Sequence, residues 1–211
     1  MKKTISVFFI YLLAIPLVIN LIFSWNNLLA STITVIIQIL FLFFNYKKSI
    51  INDFKNFKIK YLKTALIKWC LLFISMLVLN MIIISIVGDA SSNESSQRSI
   101  IAIHPILCLI TIGLLGPISE ELAFRKNFKE GIKNEKYFLI ISSLIFGFAH
   151  LISGFADGTV FTNPLELLFI LPYASMGYFF ASAYLKTNNI FTSTIMHIFH
   201  NIITIVIIIG G

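Results

Sequence analysis

Seven apolar stretches, near residues 4–23, 27–45, 65–88, 101–124, 138–153, 165–185 and 190–209, leave this chain few ways to fold. A helix needs about 20 apolar residues to cross the hydrocarbon of a bilayer. In that medium each backbone N–H and C=O must find a partner within the protein, so spans are helices or closed barrels. Runs this long are not barrel strands. The expectation is therefore an all-α, polytopic membrane helix bundle with about seven transmembrane helices. Composition agrees: 58% of the 211 residues are hydrophobic and 12% are charged, half the roughly 25% of soluble domains.

The net charge of +7 could point to nucleic acid, but the placement of the charges excludes that partner. With the N-terminus in the cytoplasm, the inner loops hold Lys2 and Lys3, the run from Lys47 to Lys68, Arg125 to Lys136, and Lys186. Of the 16 Lys and Arg residues only Arg98 falls outside, where Asp89, Glu94 and Asp157 also lie. This is a positive-inside pattern, and seven spans then put the C-terminus outside. Met1-Lys2-Lys3 before an apolar run resembles a signal peptide, yet the run to Phe23 is long enough to stay as the first span. Residues 52–63 alternate Lys with apolar residues, either on anionic lipid or as a solvated loop. Cys70 and Cys108 sit singly in apolar runs and read as packing residues. The expected organisation is three spans with a basic loop (1–100), then four spans that carry the chemistry (101–211).

The stretch Gly116-Pro117-Ile118-Ser119-Glu120-Glu121-Leu122-Ala123-Phe124-Arg125 places three formal charges against an apolar run. An ionisable residue at the centre of a bilayer costs roughly 2.5–3.5 kcal/mol on insertion scales, so it needs a reason. Helical spacing pairs Glu121 with Arg125, four residues on. Glu120 lies about 100° round the helix with no cation on its own face. A helix leaving the membrane, with all three side chains among headgroups, is the alternative.

Further polar residues sit in the later spans. His150 ends the stretch Phe146-Gly147-Phe148-Ala149, and His197 and Asn201 share one face of the last span. At 1.5 Å per residue, Glu120 and His197 lie roughly 10 Å from the cytoplasmic ends of their helices, and Asn201 and His150 roughly 16–18 Å. One cavity can therefore hold all four. His200 lies off the His197–Asn201 face, His104 near the outer end of its span reads as structural or interfacial, and Asp157 has no implied role.

Glu120-Glu121-x-x-x-Arg125, Phe146-x-x-x-His150 and His197-x-x-x-Asn201, in that order, resemble the CAAX-protease and bacteriocin-processing family (CPBP, or Abi) of intramembrane proteases. The resemblance covers roughly residues 101–205. It implies that Glu120 and His150 activate a water, that His197 and Asn201 hold the oxyanion, and that Glu121 and Arg125 support the site. The implied partners are the lipid bilayer and a peptide or protein substrate in or near it, with bacteriocin processing, self-immunity or signal-peptide maturation as possible roles. Zn is possible, since Glu and His ligate it, but HExxH is missing and a metal-independent glutamate mechanism is favoured. Val87-Gly88-Asp89 lacks the aspartyl GxGD pattern, and Ser153-Gly154 only faintly echoes a serine dyad. A non-proteolytic immunity or scaffold protein is the alternative; a proton-coupled transporter is another, for which no inverted repeat is visible.

Overall fold

The computed structural model describes residues 1–210, and in it the apolar stretches become α1 (Lys2–Ile22), α2 (Asn27–Lys55), α3 (Tyr61–Val87), α5 (Pro105–Gly131), α7 (Pro164–Thr187) and α8 (Ile190–Gly210). Between them lie α4 (Ser92–Ile103) and α6 (Glu135–Ala149). The six helices named first are long and apolar enough to cross a membrane, so the chain is an all-α, multi-pass membrane bundle. Leu17, Leu21, Phe44 and Ile106 are each more than 60% exposed. In water they would form a patch to be hidden; in lipid they are the outer surface.

Three expectations shift. The stretch at 138–153 becomes α6, whose 15 residues rise about 22 Å, short of a hydrocarbon core of about 30 Å. The outer segment that holds Glu94 and Arg98 is helical rather than a loop, because Ser91 caps α4 by accepting from the Glu94 N–H. The second stretch runs to Lys55 through a kink at Tyr46, and Arg125 and Lys126 are buried in α5 rather than placed in a basic loop.

Two prolines break helices in the same manner. Before Pro16, α1 has a π-turn over Ile10–Ala14, and the Ile15 N–H bonds the Ile10 carbonyl. The next carbonyl, Tyr11, would take the N–H of residue 16, which proline lacks. Gln38 of α2 donates its side-chain amide there instead, at 2.9 Å. In α5 the Gly116 N–H bonds Thr111, and the Ile112 carbonyl is left facing Pro117. Asn201 of α8 donates to it at 2.9 Å. A carbonyl orphaned in hydrocarbon has no water to turn to, so each break needs an amide from another helix.

Helices α6 and α7 touch through glycines. A Cβ on Gly147 would come within 2.9 Å of the Ile170 carbonyl, and one on Gly177 within 3.0 Å of Ser143. Small residues allow such a backbone approach where no water drives helices together. The pair carries an aromatic core of Phe138, Phe146 and Phe180, all fully buried. The site is built against it.

Candidate active site

Glu120 and Glu121 lie between the two π-turns of α5, Thr111–Leu115 and Leu122–Asn127. Such turns often mark functional positions. Arg125 Nε lies 3.3 Å from Glu121 Oε2, both side chains being fully buried, as the spacing predicts. Arg125 also donates to Ser142 Oγ of α6 at 2.8 Å, and its guanidinium sits 4.9 Å from the Phe146 ring centre. Glu121 Oε1 then accepts from His197 Nδ1 of α8 at 3.2 Å. A carboxylate paired with arginine accepts, so Nδ1 carries the proton and Nε2 turns toward Glu120 Oε2, 3.8 Å away.

Glu120 differs from its neighbour. Its side chain is 28% exposed, into a cavity of about 1220 Å³, and its Oε2 has no hydrogen-bond partner among the described residues. His150, Tyr173, His197 and Asn201 line the same cavity. His150 Nδ1 lies 2.9 Å from the Phe146 carbonyl, which can only accept; Nε2 therefore holds the free lone pair. The ring of His150 is stacked on Tyr173 at 4.7 Å. His150 and His197 both pack on Phe146, at 4.4 and 5.9 Å between centres, so about one helix diameter at most separates them. The structure thus brings Glu120, His150, His197 and Asn201 to one cavity, with Glu121 and Arg125 behind.

Several residues fall elsewhere than their spacing implies. His200 lines the cavity despite its angle on α8, and so does His104. Ser153 Oγ is buried with no partner among the described residues, so no histidine activates it. Asp157 accepts from the Thr159 N–H and is held below the usual carboxylate range by the Thr159 hydroxyl and N–H, a turn contact outside the site.

Three residues escaped the sequence reading. Gln38, besides bonding Tyr11, lies 3.4 Å from the Ser119 hydroxyl, next to Glu120. Asp53 accepts from Lys126 Nζ of α5 at 2.6 Å and from the Ile190 N–H at the start of α8 at 3.1 Å, while Asn189 donates to the Asp53 carbonyl at 2.6 Å. Asp53 thus ties together the two helices that carry Glu120 and His197. Tyr173 orients His150. The available signal was a lone polar residue in an apolar run: Gln38 stands within Val35-Ile36-Ile37-Gln38-Ile39-Leu40.

A catalytic zinc takes three protein ligands. Among the described residues no three His, Cys, Asp or Glu side chains are grouped to hold one ion. The described residues do not fit a zinc site.

Residues 102–203 match the model of the type II CAAX prenyl endopeptidase Rce1-like family. Over those residues, just under half of its length, the chain is similar to this family. Among relatives of this Rce1-like protein, the membrane-embedded CAAX protease MroQ of Staphylococcus aureus is 28% identical over 159 residues, 68% of this chain and 59% of MroQ. YxdF of Lactococcus lactis is 32% identical over 125 residues, 59% of this chain and 61% of YxdF. A Mycoplasma capricolum protein is 25% identical over 205 residues, 89% of this chain and 58% of its own. The Rce1-like chain therefore spans about 60% of the length of these relatives. No solved structure matches it.

Proposed function

We propose that this Rce1-like chain is an intramembrane endopeptidase that hydrolyses membrane-associated peptides, with residues 101–211 as the catalytic core and 1–100 as a supporting three-helix unit. The observation that carries the reading is the buried, unpartnered Glu120 Oε2 in a cavity shared with two imidazoles and an amide. The family match over residues 102–203 and the name of MroQ support the same class.

Glu120 takes a proton from water as the water oxygen bonds the scissile carbonyl carbon. His150, with its Nε2 lone pair free, orients that water or relays the proton. The carbonyl oxygen becomes an oxyanion near His197 and Asn201. Asn201 spends one amide hydrogen on Ile112 and keeps the other for this oxygen. His197, its Nδ1 proton given to Glu121, donates from Nε2 only when the ring carries both protons. The tetrahedral species collapses with C–N cleavage as the nitrogen receives the proton from Glu120. One oxyanion donor is typically worth about 2.7–4 kcal/mol.

Positive-inside charge supports an N-terminus in the cytoplasm. Because α6 with residues 150–163 returns the chain to the α4 end, where α7 begins, the same charge pattern also supports a C-terminus outside. Peptide maturation fits this reading. Among the relatives named above MroQ carries a protease name and none an immunity name, so self-immunity is carried no further. The test compares membrane peptidomes of a deletion strain restored with wild type or with Glu120→Gln. Cleaved peptides should appear with wild type alone, at equal protein levels. Equal peptidomes would end the peptidase reading and leave a scaffold.

A further inference from the structure

The cavity that holds Glu120 is one-sided. Helix α2 contributes no residue beyond Val35, α3 none before Phe73, α5 none beyond Glu120 and α8 none before His197. Every contribution from these helices thus lies toward the bundle end where α2 and α5 begin and α3 and α8 finish. The opposite end, which carries the basic loops, is closed by buried polar contacts. Lys126 is bound to Asp53, Asn189 to the Asp53 backbone, and Asn127 to the Tyr46 hydroxyl and the Thr4 carbonyl. Nothing of that plug lines the cavity.

The lining is also one-sided in charge. It includes two carboxylates, Glu94 and Glu120, and none of the chain's 16 Lys and Arg residues. Glu94 shares its charge with Arg98 at 2.7 Å on the exposed face of α4, an exposed pair of small worth. Asn80 of α3 and Gln97 of α4 line the wall, and neither amide has a side-chain hydrogen bond among the described residues. A peptide unfolded for cleavage in an apolar setting needs partners for its own N–H and C=O groups, and side-chain amides supply them. At about 1220 Å³ the cavity exceeds the roughly 300–1,000 Å³ typical of small-molecule sites, as a polymer segment requires.

We infer that substrate reaches Glu120 from the bundle end opposite the basic loops, and that it is an extended peptide segment without acidic side chains beside the scissile bond. The substrate class rests on the peptidase reading above; the side of access does not. Under positive-inside orientation this is the extracytoplasmic side. A carboxylate on the substrate would meet like charge in a low-dielectric cleft whose lining holds no Lys or Arg to offset it, whereas a lysine would meet opposite charge.

The test begins with a Cys70→Ala/Cys108→Ala chain expressed in intact cells. Asn80→Cys, Gln97→Cys and, as the basic-end control, Lys58→Cys are each added singly. A membrane-impermeant maleimide applied outside should modify the Asn80 and Gln97 variants, and the Lys58 variant only after the membrane is opened. Two cavity positions guard against one variant that misfolds. Modification of Lys58→Cys from outside, with both cavity positions protected until lysis, would overturn the side of access. Leu/Ala-rich peptides carrying one Lys or one Glu are then added during labelling of Asn80→Cys. The Lys peptide should slow modification at about tenfold lower concentration than the Glu peptide; equal protection would overturn the charge selection. Labelling requires no cleavage, so it answers even if the Glu120→Gln peptidomes defeat the peptidase reading.

Discussion

The proline breaks in α1 and α5 share one backbone chemistry and differ in what surrounds them. Each is a π-turn that leaves a carbonyl facing a proline, Tyr11 before Pro16 and Ile112 before Pro117. Each carbonyl is satisfied by an amide from another helix at 2.9 Å. Gln38, however, is buried between α1 and Ser119, with its carbonyl oxygen also engaged, while Asn201 lines the cavity beside Glu120. The α1 break therefore serves packing alone. The α5 break holds an amide at the point where negative charge would develop. A kink is thus neither catalytic nor structural by its backbone; whether the donor amide faces the cavity decides.

The comparison is broken most severely at Asn201. Asn201→Ala orphans the Ile112 carbonyl, at about 1–3 kcal/mol of stability, and removes an oxyanion donor. The expected kcat falls about 10²–10³-fold, beyond what the loss of folded protein explains, as measured on a substrate from the peptidomes. Asp53→Asn comes next, since it leaves Lys126 without its buried counter-ion and weakens the start of α8. Breaking such a pair costs about 3–5 kcal/mol, read as lost resistance to SDS unfolding, with kcat per folded molecule much less affected than by Asn201→Ala. Gln38→Leu sharpens the contrast. It should cost the same roughly 1–3 kcal/mol as its counterpart in α8, with kcat within about tenfold of wild type. The smallest effect belongs to Pro16→Ala, which returns an N–H to α1. Alone it should shift stability by less than about 1 kcal/mol, and in combination it should recover about 1 kcal/mol of the Gln38→Leu loss.

What could be read in advance follows the range of the interaction. Glu121 and Arg125 are four residues apart, and so are His197 and Asn201; helical geometry alone sets their faces. The apolar runs gave the bundle because span length is a property of local composition. The bonds that complete the site join distant residues: Asn201 to Ile112 across 89 positions, Lys126 to Asp53 across 73. No periodicity encodes those. The N-terminal helices were legible only as hydrophobic, for the windows of α1, α2 and α3 are 11–17% buried against 33–44% in α5, α7 and α8. Their role in the site comes from two polar residues of α2, Gln38 and Asp53, whose partners lie on α1, α5 and α8. The stretch at 138–153 read as a span from its composition, but α6 ends at Ala149, so His150 caps a helix too short to cross.

Whether Glu120 and His150 work on one water is tested most directly by a double-mutant cycle on kcat/KM, with Glu120→Gln, His150→Ala and the pair. Residues that act as a unit are strongly non-additive. Each single change should cost about 10³-fold or more, and the pair no more than about threefold beyond the worse single variant. Losses that multiply in full would mean two independent contributions, contradicting the shared site on which the account stands.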